Sequence, residues 1–307
     1  MRYLKLLGLL SLMVILLMIS GCTTVEVGEL QTESVSVELE NADSVDVELD
    51  MSRGEMNIAG GADKLLDAEF RYNVAAWKPE IEYNVIEDKG KLIVRQPREE
   101  GIVGSNATNE WDLRLNEDVP MDLSIDVSNG NCDLNMDSAL LKTLEIDSSN
   151  GNVDVTLIGN QSLLKSVNMD MSSGSASLDL SGDYPSLSAM VIKSNNGDVD
   201  TDLTGNYSAM SSVDIDVSNG NVLADLTGHW GSDAQVKMIA SSGQITLRLP
   251  QDVGVYVEAS ASNGKIEASG FRMDGDNYVN HAYGESNVTI NVKATVKNGN
   301  IELLLVD

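Results

Sequence analysis

Carboxylates are the reactive groups this sequence supplies in greatest number: 48 Asp and Glu stand against 20 Lys and Arg, a formal charge of -28 over 307 residues. In pairs such groups cleave glycosidic bonds by acid and base catalysis, and in larger sets they hold calcium. Their placement argues against both. Asp126, Asp147, Asp170 and Asp216 fall at one position of a repeat, and Asp179, Asp202 and Asp225 at another. An active site breaks a repeat at one place, so this regularity describes a solvated outer face. In strands stacked about 4.8 Å apart the like charges repel. Water and salt are the expected relief, with Lys193 interrupting the column. Calcium is the lesser expectation, because the nonapeptide of calcium-binding β-rolls is absent.

His229 and His281 are the only histidines. Neither has a second histidine or a cysteine at ligand spacing, so no zinc site is expected. Glycine-rich phosphate loops and Gly-x-Ser-x-Gly elbows are missing as well. The expectation is therefore no catalytic residue, no cofactor and no metal. Nucleic acid is excluded by charge, since its binding proteins depend on Lys and Arg to displace counterions. Trp77, Trp111 and Trp230 are read as cap or core residues rather than platforms for sugars.

One residue does carry a specific chemistry. Arg2 and Lys5 precede an uncharged, largely apolar run from Leu6 to Ile19, which has the length of a secretion signal and falls short of a membrane span. The run ends in Ile19-Ser20-Gly21-Cys22. That ending resembles the bacterial lipobox, in which the cysteine sulfur takes a diacylglyceryl group and the chain is cut just before it. Cys22 is thus the expected lipid attachment and residues 1–21 a lipoprotein signal peptide. The body is expected outside the cytoplasm, attached to the cell membrane through its N-terminal lipid. Cys132 is left without a partner. The acidic stretch 22–44 reads as a tether, although its alternating valines also suit a first strand.

A repeat must position the acidic columns. Glycines preceded by Asn or Ser recur at 130, 151, 174, 197, 220, 243, 264 and 299, at intervals of 21 or 23 residues before a last one of 35. Aligned on that glycine, the copies carry apolar or small residues at -7, -5, -3, +2, +4 and +6. The -5 column runs Ile125, Ile146, Met169, Ile192, Ile215, Met238, Ala259, Ala294. A period of two means strands. Each unit is two half-buried strands joined at Asn-Gly, a dipeptide whose residues both tolerate positive φ. Cys132, at +2, becomes a small core residue.

A meander of hairpins also keeps the apolar residues on one face, but residues 101–307 hold no amphipathic helix to cover it. Stacking the first strands into one parallel sheet and the second strands into another buries both faces. The expected fold is all-β: a parallel β-solenoid of ~23-residue two-strand rungs over residues 116–307, with a loop protruding near its C-terminal end. An N-terminal β cap domain is expected over residues 45–115. It carries the same unit around Gly54 and gathers Phe70, Tyr72, Trp77 and Tyr83. One further internal match stands out. LRLNEDVPMDLSIDVSNGN from Leu113 and LRLPQDVGVYVEASASNGK from Leu247 align without a gap at an offset of 134.

Together, the lipobox, the stretch MNIAGGADKLLDAEFRYNVAAWKPEIEYNV and the SNGN repeats resemble the bacterial toast-rack domains. Such domains occur in envelope proteins, in relatives of cell-wall-antibiotic response proteins and in adhesin candidates. The resemblance implies a β-helix-like fold and a cell-surface setting, and it brings no catalytic residue. The leading functional expectation is a non-catalytic, lipid-anchored surface protein, adhesin-like or envelope-binding, whose partner is a protein or glycan. The alternative is an envelope-stress sensor or regulator. A β-helix polysaccharide-active enzyme comes third, on fold analogy alone.

Overall fold

The computed structural model describes residues 24–98 and 101–306, and in it the alternation becomes two parallel sheets facing each other across one core. First strands build one sheet. Ser44–Met51, the first half of Met121–Asp137, Leu141–Asn150, Ser166–Ser173, Ala189–Asn196, Ser212–Asn219 and Ala234–Ser242 pair in that order. Second strands build the other, from Gly54–Ala59 through the second half of Met121–Asp137 to Val153–Ile158, Ala176–Asp179, Val199–Asp202, Val222–Asp225 and Ile245–Pro250. The two strands of a unit fall in different ladders, which excludes the hairpin meander. Ile125, Ile146, Met169, Ile192, Ile215 and Met238 stack in register and are at most 1% exposed. The fold is a parallel β-solenoid.

The chain passes from one sheet to the other at a single residue. Gly151 has φ of 139°, and a Cβ there would stand 1.7 Å from the Gly130 carbonyl oxygen. Glycine is therefore required twice over, by its backbone conformation and by the closeness of the neighbouring corner. The residue before it departs from expectation. Described non-glycine residues with positive φ are Glu40, Glu87 and Ser138, so the corner asparagines do not adopt the turn conformation that the dipeptide suggested. Parallel stacking needs a corner rather than a reversal, and one residue suffices. The asparagine side chains form a ladder, as a column of stacked amides should: Asn150 Nδ2 donates to Asn129 Oδ1 at 3.3 Å, and Asn219 Nδ2 to Asn196 Oδ1 at 3.2 Å. A second ladder lies just past the corner. Asn131, Asn152 and Asn221 accept, through Oδ1, the backbone N–H of Asn152, Ser175 and Gln244, each at 3.0 Å.

The N-terminal end continues the same stack. Lys89–Arg95 and Asn109–Leu115 add a level outside Ser44–Met51 and Gly54–Ala59. Antiparallel strands then close it, Glu80–Ile86 on one sheet and Leu66–Tyr72 followed by Gln31–Val37 on the other. Part of the acidic segment before residue 45 is thus an edge strand. Beneath it Phe70 meets Trp111 edge to face, ring centroids 5.4 Å apart.

At the other end, spatial order departs from chain order. Thr289–Asn298 and Ile301–Val306 lie against Ala234–Ser242 and Ile245–Pro250, while Gly254–Asn263 and Ile266–Ser269 stack outside them. Burial explains this arrangement. The two levels match at Val257 and Val292, but where the inner level carries Ile290, Val296 and Leu303, each at most 2% exposed, the outer one carries Val255, Ala261 and Ala268, the two alanines only partly buried. Placing the bulkier level inside removes more apolar area from water. Residues 251–253 consequently leap over a level. Residues 116–120 make the same leap, over the level of Ser44–Met51 and Gly54–Ala59. These leaps coincide with the two stretches that match at the offset of 134, and their valines, Val119 and Val253, are both buried. The loop expected to protrude near this end forms a hairpin, Arg272–Asp274 with Asn277–Val279, laid against the edge of Gly254–Asn263.

Three middle units add a short third side. Asp183–Tyr184, Asn206–Tyr207 and His229–Trp230 pair in parallel. Tyr184, Tyr207 and Trp230 stack inside with successive ring centroids 5.3 Å apart.

Candidate functional site

The residues available to a partner are the outward positions of the two sheets. On the first-strand sheet Asp50, Asp126, Asp147 and Asp170 stack in register, followed by Lys193 and Asp216. Partial burial pushes the carboxyls of Asp126 and Asp147 above the usual range, and the neighbouring acids Asp147, Glu145 and Asp170 add to the shift. Asp50 is raised in the same way, by burial first and then by Asp126. Asp122 goes the other way. Burial alone would raise it, but a hydrogen bond from Thr143 at 2.7 Å and the Lys142 ammonium at 3.1 Å bring it below the usual range.

The opposite sheet carries its own acid column, Asp179, Asp202 and Asp225, which ends at Arg248. Arg248 Nε sits 3.2 Å from Asp225 Oδ2. On the first-strand sheet Lys237 pairs with Asp214 at 3.0 Å and is followed in register by Lys293 and Glu258. Cations thus terminate or interrupt the ladders instead of being scattered among them. Near the N-terminal end of the second-strand sheet lies an open polar groove of about 920 Å³, lined among others by Ser34, Asn57, Asp67, Glu69, Asp112 and Arg114. Sequence reading missed this groove, because it is shaped by the antiparallel closing strands rather than by the repeat.

Other candidates do not converge on a site. His229 and His281 are both exposed and belong to different segments. Among the described residues no group of three His, Cys, Asp or Glu is placed to hold a metal ion. Trp77, Trp111 and Trp230 are at most 3% exposed, so none offers a ring to a sugar. Cys132 is buried at 1% exposure, and burial, helped by Asp133 and Asp154, pushes its thiol up to about 12. It packs and does not react. Cys22, the expected lipid attachment, and the expected signal peptide over residues 1–21 lie outside the described residues.

A family profile for the N-terminal domain of toast_rack matches residues 26–181. The chain belongs to the toast-rack family. The matched region takes in the N-terminal closing strands, the groove and the first units of the stack. No curated protein sequence matches. Among solved structures, a candidate cell adhesion protein from Clostridium sporogenes is 23% identical, with 91% of this chain and 100% of that one aligned at a TM-score of 0.35. A candidate adhesin from Bacteroides fragilis is 13% identical over 92% of this toast-rack chain and 100% of its own, at 0.47. A candidate lipid binding protein from Parabacteroides distasonis is 7% identical over 92% and 100%, at 0.41.

Proposed function

We propose that this toast-rack protein is a lipoprotein, acylated on Cys22 and held outside the cytoplasm, that presents its polar outer faces to another macromolecule as an adhesin-like, non-catalytic scaffold. The observation that carries the reading is the pair of acidic and asparagine ladders running in register along both sheets, a broad and regular surface of the kind that meets an extended partner. Its counterpart is that, among the described residues, the titratable groups do not assemble the acid, base and oxyanion donors that catalysis needs. The lipobox supplies the setting.

Two measurements test it. Labelled fatty acid should enter the wild type and not Cys22→Ala, which should also leave the membrane fraction; label retained by that variant overturns the anchor. The folded body, immobilised, should retain glycans, matrix protein or cells, and lose them when Asp126, Asp147 and Asp170 are changed to Asn. Capture of one membrane protein alone would replace the adhesive reading with a regulatory one.

A further inference from the structure

The out-of-order level is a slot. Its walls are Ala234–Ser242 with Ile245–Pro250 on one side and Gly254–Asn263 with Ile266–Ser269 on the other, joined to each other by residues 251–253. Its filling, Thr289–Val306, arrives from elsewhere in the chain and pairs with both walls, Val236↔Val292↔Val257 in one sheet and Ile245↔Ile301↔Ile266 in the other. We propose that this segment exchanges between two copies of the chain, each filling the other's slot.

Three features support exchange rather than association at a surface. First, the slot specifies its occupant, because the columns of the filling match both walls in register and bury five bulky apolar residues to 2% exposure or less. A second copy's segment is chemically identical and fits equally. Second, the walls have their own fastening. Asn280 Nδ2 donates to Val253 O at 2.7 Å and its Oδ1 accepts the Val255 N–H at 3.0 Å, so the leap and the hairpin keep their hold whichever copy supplies the filling. Third, what joins Asn280 to the filling is a run of turns and bends, residues 281–288, with Gly284 at φ of 85° and open space around it. Eight residues reach at most about 27 Å when extended, enough to enter a neighbour rather than fold back. Exchange of an identical element through such a hinge is a low-cost route to a symmetric dimer.

Gln235 and Asn291 are Cα partners on adjacent parallel strands and face outward, a spacing a disulfide can bridge. Two differently tagged full-length copies, one Gln235→Cys and the other Asn291→Cys, should be co-expressed and oxidised. Exchange predicts a disulfide between the two copies, at least tenfold more abundant than Gln235→Cys linked to itself. A chain carrying both changes is the control and should close the same bond, within one copy where it is monomeric and between two copies where the segment is exchanged. The proposal is overturned by an internal bond in the control without any link between copies, by equal amounts of mixed and self-linked dimer, or by failure of the control, which would mean that the filling does not occupy the slot in this register.

Discussion

The ring of Tyr207 lies 5.3 Å from that of Tyr184 with the two planes 10° apart, and both hydroxyls donate to backbone carbonyls inside the fold, those of Leu180 and Leu157. Trp230 continues the stack, its Nε1 donating to Leu226 O at 2.9 Å. Because the stack spans three units, its loss should be felt by all of them. Tyr207→Ala is expected to cost about 3–5 kcal/mol, and Tyr207→Phe, which strands a buried carbonyl, about 1–2 kcal/mol. Chemical denaturation of the two variants reads both values, and equal losses would show that the hydroxyl, not the ring, matters.

Glycine corners give a second contrast. Gly151→Ala meets both a positive φ and the Gly130 carbonyl, and should lose roughly 2–4 kcal/mol through strain and overpacking. Gly284→Ala faces the φ alone, with nothing within 4 Å of the added methyl, and should lose about 1 kcal/mol. Thermal melts separate the two effects, and matching melting temperatures would refute the stacking argument.

Alternation predicts opposite fates for two neighbours. Ile192 is fully buried and Lys193 is exposed. Ile192→Asp places an unpaired charge in the core and should unfold the stack at room temperature. Lys193→Asp merely makes the acid column continuous from Asp170 to Asp216. It should lower the melting temperature slightly, with most of the loss recovered in high salt. A loss that salt leaves untouched would assign Lys193 a structural role beyond its charge.

The acid column also sets a pH dependence. Asp50, Asp126 and Asp147 of that column, and Asp200 on the opposite sheet, raised by partial burial and then by Asp202, all have carboxyls above 3.8 in the fold, so the folded state binds protons more readily than the unfolded chain. Their destabilisation is present in full at neutral pH and is relieved as pH falls through the raised values. Asp122, lowered by Lys142 and Thr143, contributes stability that disappears only below 3.8. The melting temperature should therefore rise from pH 7 toward mildly acidic pH and fall again under stronger acid. Asp126→Asn should raise the neutral value and flatten the rise. A melting temperature falling steadily from pH 7 downward would contradict the ladder.

Much of this architecture is legible in the sequence because burial here is periodic: the -5 and +2 columns need only a strand period and a corner glycine to predict which residues stack. The order of levels is not legible, since every unit carries the same columns and any one can pair with any other. What decides it is the weight of side chains at matched positions, Val296 and Leu303 against Ala261 and Ala268, a comparison that matters only once the end of the stack is recognised as an end. The aromatic stack was within reach. Tyr184, Tyr207 and Trp230 all stand ten residues past their corner glycines, beyond the +6 limit at which the alternating pattern stops. The groove near Arg114 left no periodic trace, because closing strands and a loop shape it.

Corner stacking also makes length a separable property. Both closing ends are built from segments that leap a level, and the units between them are interchangeable in register. Adding or deleting one 23-residue unit, such as residues 189–211, shifts the far end by about 4.8 Å along the axis while leaving either closure untouched. The molecule is in that sense a ruler whose gradations can be counted in the gene, and selection can adjust its reach without redesigning anything at its tips.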